Sequence, residues 1–406
     1  MKLRIFNTVC CLTLVAALVP NLAQAQKKST GTCPSEVQVD INLSGLSSLA
    51  ELSSLADLAD LASLADLAEV KEIPELMKLS DLSQELEGLN ESFMQEQTGD
   101  GTVIINQDEA AAYDSEKRKT FDKTYKVSNS DALNIENKFG RVQVKTWAKN
   151  EIQVKVDMIA RASSESKAQE ILNNISVTDS RQGNIISVAT KMEPMRVSGN
   201  SNKSFEINYT IYMPENNALT VKNSFGDVNL AALKGKTDIY VKYGSLKTER
   251  LSNTENKVKL AYSSGTCGYI NGGNVEVSYA NLNVDGTNGL SGYSKFSDLK
   301  IGSLRDELNL EVKFGTFKVD NISKNVRRIS LDSGYTPISL RFEDNSAFNF
   351  DVNVSFADFK VDKSLINVTS LEKNHTSAEY KGRYGGASGK GSVSINSKYG
   401  DVKFVK

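Results

Sequence analysis

Four aspartates, Asp227, Asp298, Asp358 and Asp401, each stand two residues after an aromatic. Carboxylates brought to neighbouring strands are what a polysaccharide lyase or hydrolase uses as acid and base, or what a calcium site uses as ligands. The same column also holds Ser245, Ser264, Asn281 and Thr316. Asp, Asn, Ser and Thr are the residues bends demand, so turn chemistry is the preferred reading. The single histidine, His375, follows Glu372-Lys373-Asn374 and reads as a loop residue rather than a base. No nucleophile elbow, phosphate loop or metal signature occurs. The expectation is a protein that is not an enzyme, with no catalytic residue and no cofactor.

Of four cysteines, Cys10 and Cys11 lie in the leader, leaving Cys33 and Cys267. Two readings are open in an oxidising compartment: a disulfide between them, or two separate thiols. Cys267 lies five residues after Tyr262, where other copies of the repeat carry Val284, Ile301, Val319 and Leu340, so it is expected to be a small inward hydrophobe. Two cysteines and one histidine without a cluster offer no zinc or transition-metal site.

A second chemical pattern is basic. Positions one before and four after the aromatic hold Lys242, Lys247, Lys295, Lys300, Lys313, Lys318 and Lys360, with Lys138, Lys398 and Lys403 at the outer copies. These are the candidate binding residues, for an anionic polysaccharide or another envelope or surface protein. The competing reading is solubility and protection of exposed strands. No aromatic alternates with the lysines outward as a base-stacking platform would, so nucleic acid is not expected.

The elements that must position these residues form a repeat. Phe139-Gly140-Arg141-Val142, Phe225-Gly226-Asp227-Val228, Tyr243-Gly244-Ser245-Leu246, Phe314-Gly315-Thr316-Phe317 and Tyr399-Gly400-Asp401-Val402 share one phrase, with weaker copies at Tyr262, Tyr279, Phe296, Tyr335 and Phe356. From Phe225 to Phe356 the aromatics are 18, 19, 17, 17, 18, 21 and 21 residues apart. Such a period is a solenoid signature. Numbered from the aromatic, apolar columns fall at −4, 0, +3 and +5. Strand side chains alternate, so the change of parity requires an irregular residue. Glycine at +1 is expected to supply it through a positive φ, with the aromatic filling the core. The copy between Phe356 and Tyr399, around Tyr380 and Tyr384, is degenerate and reads as a bulge or loop.

Residues 1–25 read as a signal peptide: Lys2 and Arg4, an apolar run from Thr8 to Val19, and the small-x-small site Ala23-Gln24-Ala25. Residues 26–120 form an acidic, Leu- and Ala-rich low-complexity extension, partly helical or disordered. From 34 to 116 there are 19 acidic residues against two lysines; with +4 before them and −2 overall, 117–406 is left at +11. Residues 121–214 read as a β-rich cap with one short helix, in which Ala168, Ile171, Leu172 and Ile175 follow helical spacing after Ser163-Ser164. Residues 215–406 hold the solenoid repeats. No later segment is long and apolar enough for a transmembrane helix.

Strand–helix–strand material, then Pro214, then turns such as Ser224-Phe225-Gly226-Asp227-Val228 in an exported chain resembles the putative bacterial adhesin domain family. The resemblance covers roughly residues 121–406. It implies repetitive β-solenoid proteins of the cell envelope, common in Bacteroidetes-type bacteria, and transfers no catalytic motif. The fold expected is mainly β: a capped β-solenoid with a partly helical N-terminal extension. The function expected is an exported, non-catalytic envelope or surface interaction protein, placed in the periplasm, on the outer surface or in the medium. A carbohydrate-active solenoid enzyme and a structural spacer are the alternatives.

Overall fold

The computed structural model describes residues 115–193, 203–386 and 389–406. The signal peptide, residues 26–114 of the acidic extension and Cys33 lie outside the described residues, while residues 115–120 belong to the first strand. What is described is almost entirely strand, β1 to β25, with one α-helix.

Each solenoid rung is a strand, a sharp corner at the aromatic, and a second strand running back. The first strands stack in parallel into one row: β2 (Ala132–Lys138), β8 (Ala218–Ser224), β10 (Thr237–Lys242), β12 (Asn256–Ala261) and β14 (Gly273–Ser278). The second strands stack into a facing row: β3 (Val142–Trp147), β9 (Val228–Leu230), β11 (Ser245–Leu251) and β13 (Ser264–Ile270). The long strands β15 (Asn281–Lys295) and β16 (Asp298–Lys313) pass from the second row of one rung into the first row of the next. Below them β17 (Thr316–Ile322) and β19 (Ile338–Phe342) continue the second row, and β18 (Arg328–Gly334) the first.

The core lies between the rows. The −4 column (Ile135, Val221, Ile239, Val258, Val275, Leu310, Leu331, Val352, Ile395) is buried, as is +3 from Val142 to Val402 apart from half-buried Phe359. Cys267 is fully buried in the +5 column with Val284 and Ile301, and it bonds to no other cysteine among the described residues. Burial in the apolar interior pushes its pKa up to about 11.

Position 0 corrects the expectation from sequence. The ring residues do not fill the core; from Phe139 to Phe356 they are 37–58% exposed. The inward position missed is −2, where Val241, Leu260, Val277 and Val312 are buried, joined by Asn137, Asn223, Ser294, Ser333 and Ser397. The corner's positive φ also belongs to the aromatic, at 51–61° in all ten copies, and not to the glycine that follows. The glycine serves close approach instead. A Cβ on Gly226 would lie 2.1 Å from the carbonyl oxygen of Gly140, and one on Gly315 would lie 1.8 Å from that of Ser297. Rungs at the β-sheet spacing leave no room there for a methyl group.

Both ends are closed by antiparallel strands. At one end β6 (Ile185–Met192) and β7 (Ser204–Pro214) sit parallel to β2 and β3, and β5 (Ile175–Gln182) and β4 (Glu151–Ala162) turn antiparallel against them. Strand β1 (Ser115–Lys126) forms the outer edge on β4, carrying Lys117, Arg118, Lys119, Lys123 and Lys126 as charges that discourage edge pairing. Helix α1 (Glu165–Asn173), capped by Ser164, packs Ala168, Ile171 and Leu172 against β1, β4 and β5.

The degenerate copy is neither a bulge nor a plain loop. It is the hairpin β22 (Ile366–Lys373) and β23 (Ser377–Tyr384), which closes the far end on β20 (Phe348–Ser355). The chain's last rung, β24 (Gly391–Lys398) and β25 (Val402–Val405), is not the end of the stack. It inserts between β18–β19 and β20–β21 (β21, Phe359–Lys360).

Candidate functional site

The corners align into one surface feature. Each aromatic N–H donates to the carbonyl of the residue before the next aromatic, as from Phe225 to Lys242 at 2.9 Å and Tyr335 to Lys398 at 2.8 Å, except at the end of the row, where that of Phe356 donates to Thr376. The rings therefore stack in the order Phe139, Phe225, Tyr243, Tyr262, Tyr279, Phe296, Phe314, Tyr335, Tyr399, Phe356. Neighbouring centroids are 4.6–5.1 Å apart, with interplanar angles of 16° or less. Phe205 closes the Phe139 end edge-on at 5.3 Å. Ring faces are used up by neighbours, so the solvent meets ring edges.

The aspartates of the turn column hold one corner to the next. Asp227 Oδ1 accepts from the N–H and hydroxyl of Ser245 at 3.1 and 2.5 Å. Asp298 Oδ1 accepts from the N–H and hydroxyl of Thr316 at 3.0 and 2.6 Å, and Asp401 accepts from the Asp358 N–H at 2.9 Å. These carboxylates are occupied in building the wall. His375 is exposed in the β22–β23 turn.

The nominated lysines flank the ladder on its two sides, in clusters rather than as an unbroken stripe. Lys295 lies in register with Lys313, and Lys300 with Lys318, so four lysines bracket Phe296 and Phe314. Lys242 and Lys247 bracket Tyr243, two lysine-free rungs away, with Ala261 and Thr266, then Ser278 and Asn283, between. Lys242 Nζ stands 5.1 Å from the Tyr243 ring centre. Lys360 sits beside Lys403 at the far end. Five of the seven have carboxylate partners: Lys295 and Lys313 share Glu311 at 3.4 and 2.9 Å, Lys300 and Lys318 share Asp320 at 2.9 and 2.7 Å, and Lys360 pairs with Asp401. The hydrogen bond from Lys313 holds the Glu311 carboxyl below its ordinary range, and those from Lys318 and Lys300 do the same for Asp320. Two lysines per carboxylate leave the Glu311 and Asp320 clusters net positive, whereas Lys360 and Asp401 pair one to one, and exposed pairs of this kind are worth only about 0–1 kcal/mol.

One site was missed from sequence. A shallow cleft of about 510 Å³ at the opposite corner is lined by Asn271, Asn288, Asp306, Glu307 and Arg328 among others. Arg327 bridges its two carboxylates, 2.5 Å from Asp306 and 3.4 Å from Glu307. The Arg327 hydrogen bond holds Asp306 below the carboxylate range. A glycosidase needs one carboxyl raised to serve as proton donor, and this one is shifted the opposite way. The signal in the sequence, adjacent acids a rung before an arginine, is too common to single out. Among the described residues no group of three or more His, Cys, Asp or Glu is placed to hold a metal ion, and no helix is long and apolar enough to cross a membrane.

Residues 130–404 match the family described as Toastrack DUF4097. No curated protein matches the chain. Solved structures similar to it include the following three. A putative adhesin from Bacteroides fragilis is 12% identical, with 71% of this chain and 97% of that one covered and a TM-score of 0.34. A putative adhesin from Parabacteroides distasonis is 8% identical over 71% and 97% of the two chains, with a TM-score of 0.35. A structure named as a putative lipid binding protein, also from Parabacteroides distasonis, is 10% identical over 71% and 97%, with a TM-score of 0.27.

Proposed function

This chain belongs to the toastrack DUF4097 family, and on that footing we propose that it is an exported, non-catalytic interaction protein of the cell envelope that engages anionic glycans through its lysine-flanked corner. The leader-like residues 1–25 support export. The proposed organisation is a leader, an acidic extension that gives way to strand β1 at Ser115, a cap to residue 214 that encloses the first rung β2–β3, and further rungs to 406. The observation that carries the binding reading is the band from one residue before the aromatic to four after it. It holds ten lysines and Arg141 against four aspartates along a single straight corner. A basic band of that length attracts anionic polymers and contains nothing that would cleave them.

The enzyme alternative loses ground because three of the four turn-column carboxylates bond to neighbouring corners and Asp306 is held below the carboxylate range. Retention on an immobilised anionic polysaccharide tests the reading. Replacing Lys242, Lys247, Lys313 and Lys318 together by Gln is expected to shift elution to markedly lower salt. Elution unchanged from the parent chain would sink the glycan assignment.

A further inference from the structure

Ten of the thirteen exposed large hydrophobic side chains among the described residues form the ladder between the lysine columns, each ring between 37% and 58% exposed. At the spacing of about 4.8 Å between strands it runs on the order of 40 Å in a line. Its chemistry is specific. Sugars are bound on aromatic side chains by stacking on a ring face, and here every internal ring has both faces covered by its neighbours at about 5 Å. Ring edges and the hydroxyls of Tyr243, Tyr279, Tyr335 and Tyr399 are what the ladder turns towards solvent.

A row of exposed ring edges with clustered lysines on both flanks presents no internal ring face on which a sugar could stack. It suits a flat boundary that is apolar beneath and anionic above. Aromatic rings with a polar tip favour the membrane–water interface, and basic side chains beside them meet anionic headgroups. A second copy of this chain is disfavoured as the occupant, since ridge against ridge would set one basic band on another.

The geometry points to this corner as a docking edge for an anionic lipid surface, with ring edges entering the interfacial layer and the flanking lysines holding headgroups. The inference rests on the reading of the lysine band as a site for anions, and it adds a second presentation of the anion, on a lipid surface, to the glycan chain of that reading.

The test is co-sedimentation of the purified chain with vesicles of phosphatidylcholine and phosphatidylglycerol in equal parts, against pure phosphatidylcholine, with polysaccharide retention measured in parallel. Binding to the mixed vesicles alone is expected. Exchange of Tyr243, Tyr262, Tyr279 and Phe296 for Asn, which tolerates the left-handed corner, is expected to reduce vesicle affinity by roughly tenfold or more while leaving polysaccharide retention in place. Undiminished vesicle binding by that variant, or no binding by the parent chain, overturns the lipid inference. The second of these leaves the glycan reading standing if polysaccharide is still retained. Should the fourfold variant fold poorly by circular dichroism, Phe296→Trp supplies an independent readout. Its emission is expected to be quenched by lipids brominated in the acyl chain, with Trp147 of the parent chain, outside the ladder, as the unquenched reference. Equal quenching in the two proteins would also overturn the inference.

Discussion

At the corner, two neighbouring residues divide labour in a way that residue statistics invert. Glycine ordinarily takes the left-handed conformation and an aromatic avoids it, because Cβ crowds the next carbonyl at a penalty of about 1–2 kcal/mol. Here the ring carries φ near +55° and the glycine does not. Cross-rung stacking offsets the strain, at about 0.5–1.5 kcal/mol per ring pair with two pairs for each internal ring. Tyr279→Ala is therefore expected to destabilise by about 1–3 kcal/mol, from lost stacking alone, since alanine keeps the strain the tyrosine already carries. Tyr279→Gly should lose about 1 kcal/mol less, since glycine relieves that strain; chemical denaturation of the pair measures the difference, and equal midpoints would contradict the assignment of strain to this position. Gly226→Ala faces the Gly140 carbonyl and is expected to be worse than either, by about 3 kcal/mol or more. Cys267 gives a pH test. Its folded pKa is raised from 9.0 to about 11, so its contribution to stability is complete below pH 9 and is lost as pH rises towards 11. Cys267→Val, matching Val284 in the same column, should leave stability near neutral pH within about 1 kcal/mol and make the alkaline decline shallower in melts taken across that range.

At the scale of elements, the closing strands decide what the repeat alone does not. Stacked rungs leave open edges at both ends, and an exposed edge recruits other chains. The first end is covered by β4, β5, α1 and the basic β1, and the far end by the β22–β23 hairpin. Removing residues 386–406 would take out β24 and β25 and leave β18 and β20 facing a gap one rung wide. Such a chain is expected to be insoluble or to sediment as aggregates; a monodisperse, folded truncation would argue against the inserted last rung.

Periodicity made the rungs, their glycine corners and the −4, +3 and +5 columns readable, because each is a local pattern repeated many times. It misplaced position 0, because an apolar residue at a regular interval marks a ladder on the surface as readily as a core. Order along the stack was hidden as well. Tyr335 and Phe356 are 21 residues apart, as rung neighbours are elsewhere, yet Tyr399 lies between them. The interval from Phe356 to Tyr399 was the one visible sign of a hairpin. The lysine columns followed from register. Their carboxylate partners did not, since Glu311 and Asp320 reach across rungs from the strand faces.

The placement of first and last rungs has a consequence for the molecule as a whole. In an ordinary repeat array the terminal repeats touch one neighbour each, so unfolding begins at an end and proceeds in steps. Here the first rung, β2–β3, is covered by β6–β7 from later in the chain, and the last, β24–β25, lies between two rungs formed earlier. Neither end can peel without breaking contacts to segments distant in sequence. That topology predicts a single cooperative transition despite the repeats, and slow folding, because many pairings close long loops. The chain supplies its own local probe. Trp147 is the single tryptophan and stacks on Tyr212 at 5.4 Å in the first rungs, whereas far-ultraviolet dichroism reports every rung. In urea the two signals are expected to change together with one midpoint. A tryptophan transition well separated from the dichroism would show that the capped end melts alone and that the interleaved rungs do not couple the stack.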